Sequence, residues 1–164
     1  MRSGDSRDGR GNGFSSNDGA RRLWKIVQNG ISNRFSANNS SECVRFLRKM
    51  FDDIGFRHAL IGYEVMLKAA QLYAVVPDES AYTDIYLDVA QAAAESSSAQ
   101  WADNQLRYLI KWAKNSGAFS AFAGYVREYL GKELTEKELL VMTPEEFLCY
   151  VRSIIFSQGF ALNP

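Results

Sequence analysis

The 164-residue sequence has little of several features that define particular classes of protein. Its two cysteines, Cys43 and Cys149, are too few for a disulfide framework or, unaided, for a four-ligand zinc site. No uncharged stretch is long enough for a membrane span, and residues 1–20 contain no apolar signal region. These absences predict a soluble protein of the cytoplasm with no membrane partner.

The sequence also lacks the usual signatures of an enzyme. It contains no P-loop, GxGxxG, HExxH, CxxC or GxSxG motif. Its one histidine, His58, has no Cys, Asp or Glu at ligand spacing, so we interpret it as a surface or capping residue. Asp52 and Asp53 are adjacent, as are Glu145 and Glu146, and neighbours on a helix point in different directions. We therefore predict no catalytic site, no metal and no cofactor.

The net charge of zero conceals a difference between two parts of the chain. Residues 1–40 contain seven basic and three acidic residues, whereas residues 41–164 contain 12 basic and 16 acidic ones. The first 19 residues also have too little apolar area to offset the entropy of ordering them. We predict that residues 1–40 form a flexible basic arm or linker with a short helix at 20–31. Such an arm is either a solvated tail or an electrostatic contact for nucleic acid.

Residues 41–164 have apolar residues at helical spacing and no alternating strand pattern. The spacing predicts a compact all-α domain of about six helices, near 41–53, 58–75, 81–95, 98–115, 118–130 and 144–157. We expect three residues to cap helix beginnings, namely Ser41, Ser97 and Thr143. We expect glycine to end three helices, at Gly55, Gly117 and Gly131.

Most large apolar side chains of this domain are expected in its core. The helix predicted near 98–115 should turn four side chains inward: Leu106, Leu109, Ile110 and Ala113. Six aromatic residues at helical spacing are interpreted as core residues: Tyr63, Tyr73, Trp112, Phe119, Phe122 and Phe147. Both cysteines are interpreted as small buried residues.

Residues 84–114 combine a helix, a short polar turn and a second helix. The turn has the sequence ESSS, and the helix after it begins QWADNQLRYL. This is the arrangement of a helix-turn-helix, whose second helix enters the DNA major groove with its N-terminal residues against base edges. Many all-α proteins also contain a tight helix pair with a serine cap, so the pattern leaves a purely structural role open.

Several segments, in chain order, resemble the C-terminal DNA-binding effector domain of the stage-zero sporulation response regulator. They are IGFRHALIGY at 54–63, IYLDVA at 85–90, QLRYLIKWA at 105–113, NSG at 115–117 and TPEEFL at 143–148. The resemblance covers about residues 42–157 and implies a six-helix fold with a helix-turn-helix at 84–114. It also implies a transcription regulator that binds double-stranded promoter DNA. RNA polymerase, another regulator protein and a second copy of the chain are further candidate partners.

The chain departs from this family at informative positions. The roughly 40 residues before this region are too few for the family's receiver domain, so the family's phosphorylation-controlled dimerisation is not expected here. Ala59 and Ile61 stand where the family has His and Lys, and the turn before the second helix is two residues longer. The opening of that helix, residues 100–104, also differs, whereas Arg107 matches an arginine of the family.

Five residues of the second helix are the candidate DNA contacts: Gln100, Asp103, Asn104, Arg107 and Lys111. Glutamine and asparagine can read adenine, aspartate can accept from cytosine, and the two cations suit phosphates. Residues 84–114 nevertheless contain three basic and four acidic residues, a net charge of −1. Either the arm, Arg45, Arg48 and Lys49 supply phosphate contacts, or the domain is a non-catalytic protein-interaction module with Trp101 against its partner.

Overall fold

The computed structural model describes residues 37–75 and 85–159, which contain seven α-helices and no strand. The helices are α1 (Ala37–Asp53), α2 (Ile61–Val75), α3 (Ile85–Ala94), α4 (Ala99–Ser116), α5 (Ala121–Leu130), α6 (Glu136–Val141) and α7 (Pro144–Ser157). A 3₁₀ turn, Ala118–Ser120, precedes α5. The all-α class is therefore confirmed. The predicted helix at 20–31 and the arm up to residue 36 lie outside the described residues.

The predicted helix ends all lie within one residue of the observed ones, whereas the helices predicted to begin at 41, 58 and 118 begin at Ala37, Ile61 and Ala121. The glycines at 55, 117 and 131 all adopt a positive φ, and Gly117 and Gly131 are the C-caps of α4 and α5. Thr143 forms a capping box with Glu146, so α7 begins at Pro144 as predicted. The predicted cap at Ser41 is wrong, because α1 already includes residues 37–40 and Ser41 lies inside it.

Helix α2 lies at the centre of the domain and contacts α1, α3, α4 and α7. It is apolar around most of its circumference, as expected of a helix with neighbours on several sides. Gly62 allows the close approach of α2 to α4. A Cβ atom added there would lie 2.4 Å from the Gln105 carbonyl oxygen and 3.1 Å from Leu109 Cβ.

Aromatic rings fill the space between α1, the 3₁₀ turn and α7. The Phe122 and Phe147 ring centroids are 4.7 Å apart, and those of Phe51 and Phe56 are 5.0 Å apart. Five of the six predicted core aromatics are buried: Tyr63, Tyr73, Phe119, Phe122 and Phe147. The sixth, Trp112, is 38% exposed, and its prediction as a core residue is wrong.

The two cysteines differ in environment. Cys43 on α1 is buried, as predicted, and burial raises the pKa of its thiol to about 12. Cys149 on α7 is exposed, which corrects the prediction that it is buried. Helical spacing alone did not distinguish the two, because Cys149 follows the buried pair Phe147 and Leu148 by only one position.

Candidate nucleic-acid interface on helix α4

Helices α3 and α4 pack against each other and are joined by the four-residue turn 95–98. The turn closes α3 with two hydrogen bonds, from Ser96 N–H to the Gln91 carbonyl (3.2 Å) and from Glu95 N–H to the Ala92 carbonyl (3.1 Å). This is a Schellman motif, with Glu95 at φ 50° in the position that usually holds glycine. Lys68 of α2 bonds the Glu95 carboxylate, so α2 also fixes the turn.

The N-terminus of α4 is capped by Ser98, whose Oγ accepts from the Trp101 N–H at 3.1 Å. The predicted capping box on Ser97 and Gln100 is therefore one residue out of register. Gln100 instead donates from its side chain to Asn104 Oδ1 at 3.0 Å. Consecutive serines made the cap ambiguous in the sequence, since each can act as an N-cap.

One side of α4 is buried against the domain. The four residues predicted to face inward do so: Leu106, Leu109, Ile110 and Ala113. Asp103 also lies on this side, and its side chain is only 9% exposed. Its Oδ1 accepts from the Tyr86 hydroxyl at 2.6 Å, and its Oδ2 accepts from Arg107 Nε at 2.7 Å.

The Asp103 carboxylate is thus directed into the interface between α3 and α4, not outward as a contact for cytosine would require. Its two donors satisfy it there, as a buried charge requires. Burial of Tyr86, followed by its bond to Asp103, raises the pKa of the Tyr86 hydroxyl. The sequence could predict the pair of Asp103 and Arg107, because they stand four residues apart on one helix, but not the bond from Tyr86.

The other four candidate residues are all exposed and follow one line along α4. Gln100, Asn104, Arg107 and Lys111 are spaced by four, three and four residues, and we call this line the polar stripe. The Arg107 side chain is 57% exposed although it pairs with Asp103. Within the described part of the chain, Lys111 has no ion pair. Since Asp103 is the only acidic residue of α4, the polar stripe contains no carboxylate.

A second exposed line consists of Trp101, Tyr108 and Trp112, which we call the aromatic stripe. Their exposed fractions are 40%, 49% and 38%. At 3.6 residues per turn this stripe is displaced by about 100° from the polar stripe around the axis of α4. Tyr108 and Trp112 meet edge to face at 6.2 Å, and the Arg57 guanidinium lies 5.0 Å from the centroid of Trp112.

Three other residues considered in the sequence have carboxylate partners outside α4: Arg48, Lys49 and His58. On α1, Arg48 pairs with Glu64 at 3.0 Å and Lys49 pairs with Asp53 at 3.0 Å, so both cations have carboxylate partners. His58 precedes α2, exposed, with its Nε2 2.6 Å from Asp52 Oδ1 and its ring stacked on Tyr63. Over residues 37–75 and 85–159, no three or more acidic, histidine or cysteine side chains form a group that could hold a metal ion.

Comparisons of the chain with protein-family models, with curated proteins and with solved structures found no match. In the described ranges, none of the helices combines the length and apolar character needed to cross a membrane.

Proposed function

We propose that this protein is a DNA-binding transcription regulator of the sporulation effector-domain type. In this proposal α3, the 95–98 turn and α4 act as a helix-turn-helix, and α4 enters the major groove of promoter DNA. The observation that supports it is the polar stripe, a line of two amides and two cations from which the one acidic residue of α4 is withdrawn.

The side chains of the stripe suit distinct parts of a duplex. Gln100 and Asn104 lie in the first two turns of α4, where a recognition helix meets base edges, and their amides can pair with adenine. Arg107 and Lys111 follow one turn apart and can neutralise backbone phosphates. The protein would act in the cytoplasm, with RNA polymerase or a second copy of the chain as an additional partner.

The proposal is tested by fluorescence anisotropy with duplexes selected from a random pool, at several salt concentrations. Lys111→Gln is expected to weaken binding to all sequences and to reduce the slope of log K against log salt by about 1. Asn104→Ala should relax sequence preference at one position, since amide pairing with a base discriminates by about 1–3 kcal/mol. The proposal is refuted if no duplex in the pool shows salt-dependent binding.

Two further variants make the comparison sharper. Lys132→Gln removes a cation that lies outside α4 and donates to the Tyr150 hydroxyl. It should therefore leave the salt dependence unchanged. Arg107→Ala is expected to weaken DNA binding, but it also leaves the buried Asp103 carboxylate with one donor fewer. Its stability must therefore be measured beside its affinity.

A non-catalytic protein-interaction module is the second candidate, and the aromatic stripe favours it. Tryptophan, tyrosine and arginine dominate the binding energy of protein interfaces, and Trp101, Tyr108, Trp112 and Arg57 supply all three types. A photo-crosslinker placed at Trp101, with Lys137 as the control position, would test this in living cells. Specific crosslinks to one protein from position 101 alone would support it, and their absence in cells that contain the protein would oppose it.

A further inference from the structure

A groove of about 340 Å³ lies beside the C-terminal half of α4. One wall consists of α4, with Arg107, Lys111 and Lys114. The opposite wall is the segment 140–144, which comprises the last two residues of α6, the connection 142–143 and the first residue of α7. We call this feature the basic groove, because the side chains that line it include three cations and no carboxylate.

Lys114 is held in place by backbone atoms. Its Nζ donates to the carbonyl oxygens of Leu140 and Met142, both at 2.8 Å. No carboxylate of the described residues forms an ion pair with it, and burial lowers the pKa of its ammonium. Its direct partners are thus two carbonyl dipoles and the Phe119 ring, whose centroid lies 5.9 Å from Nζ. A partly buried cation without an ion pair would gain from a nearby anion.

The surrounding charges leave the groove positive. Arg107 is partly neutralised by Asp103, whereas Lys111 stands one turn from Lys114 on the same side of α4. The negative charge of Glu146 raises the pKa of Lys114 and so partly opposes the effect of burial. The Glu146 Oε1, however, already accepts from the Thr143 N–H at 2.9 Å within the capping box of α7.

The outer edge of the groove is apolar. Leu140 and Val141 are 69% and 62% exposed. Low-dielectric walls beside cations concentrate the electric field at the mouth of a cleft.

We propose that the basic groove binds a phosphate group, with the Lys111 and Lys114 ammonium groups as its principal contacts. Lysine binds phosphate as a point charge, and Lys114 is already oriented by its two carbonyl bonds. The groove continues the polar stripe at the Lys111 end. If the polar stripe reads bases, the phosphate is a backbone phosphate of the same duplex, an identification that rests on the proposed function.

Binding is tested on the full chain by following its thermal unfolding in potassium phosphate and in potassium chloride at equal ionic strength. Phosphate should raise the midpoint of the wild type and of Lys132→Gln beyond the effect of chloride. Lys111→Gln and Lys114→Met should each bind phosphate about fivefold more weakly, the loss expected for one solvent-screened charge pair. Lys111→Gln keeps the test valid if Lys114→Met does not fold. Equal responses to both salts, or a phosphate response that survives in both variants, would overturn the proposal.

DNA binding by Lys114→Met then identifies the source of the phosphate. A reduced salt slope identifies the ligand as a backbone phosphate. A specific phosphate response without any duplex binding would keep the groove, reject the DNA function and identify free phosphate as the ligand. Duplex binding with an unchanged slope and no phosphate response would reject the groove and leave the DNA function standing.

Discussion

Gly62 lies where α2 meets α4, and Gly62→Ala tests how closely the two helices approach each other. The added Cβ would lie 2.4 Å from the Gln105 carbonyl oxygen. An ordinary contact is about 3.4 Å, so the two helices must separate by about 1 Å. The obstacle is the backbone of α4, which cannot rotate out of the way as a flexible side chain could.

Two effects of opposite sign determine how much Gly62→Ala changes the free energy of unfolding. Alanine is favoured over glycine inside a helix by about 1 kcal/mol, whereas overpacking costs about 1–3 kcal/mol. The clash with backbone places the cost near its upper end, so Gly62→Ala should lower the free energy of unfolding by about 1–2 kcal/mol. Gly124→Ala in α5 is the matched control, because its Cβ would meet nothing within 4 Å. It should raise the free energy of unfolding by about 0.5–1 kcal/mol.

Urea denaturation followed by circular dichroism at 222 nm measures both changes in the same assay. The two variants should move the midpoint in opposite directions without changing the slope of the transition. A Gly62→Ala protein as stable as the Gly124→Ala protein would refute the close approach of α2 to α4.

Three further predictions concern single interactions. Tyr86→Phe removes a donor from the buried Asp103 carboxylate and should cost about 1–3 kcal/mol in the same urea assay, and unchanged stability would contradict that bond. Thr143→Ala removes the capping box of α7 and should cost about 1 kcal/mol, whereas Ser153→Ala, later in α7, should change little. Burial raises the pKa of the Cys43 thiol to about 12. The stability gained by burying the neutral thiol is complete below about pH 8.5, the ordinary thiol pKa, and is lost as the pH rises toward 12. The free energy of unfolding should therefore fall in this range by up to about 1.4 kcal/mol per pH unit more steeply than in Cys43→Ala, and equal slopes would disprove the burial effect.

The sequence predicted α7 to the residue because every signal for its start is local. A cap, a proline at the first helical position and two acids follow one another at 143–146. Helix α6 was missed, although Thr135 and Glu138 show the same capping pattern. With only six residues, α6 offers too few apolar positions to establish a helical period.

The orientation of side chains on α4 could be predicted only in part. Leu106, Leu109 and Ala113 define its buried face by their spacing, and Trp112 was interpreted as a core residue because it is an aromatic residue at helical spacing. One position along a helix is a rotation of about 100°, which is enough to place Trp112 on the aromatic stripe instead. The direction of Asp103 depends on Tyr86, which belongs to another helix, and no spacing within α4 reveals it.

These orientations also change how the charge of the helix pair bears on its function. Counted along the chain, residues 84–114 have a net charge of −1, which opposes DNA binding. In the folded domain the Glu95 carboxylate pairs with Lys68, and the Asp103 carboxylate is buried beneath Arg107. The positive charges of Lys111 and Lys114 have no such carboxylate partners among the described residues. A domain that is acidic in total can therefore present a basic edge along α4, because a polyanion interacts with the charges on the surface and not with the charge of the segment.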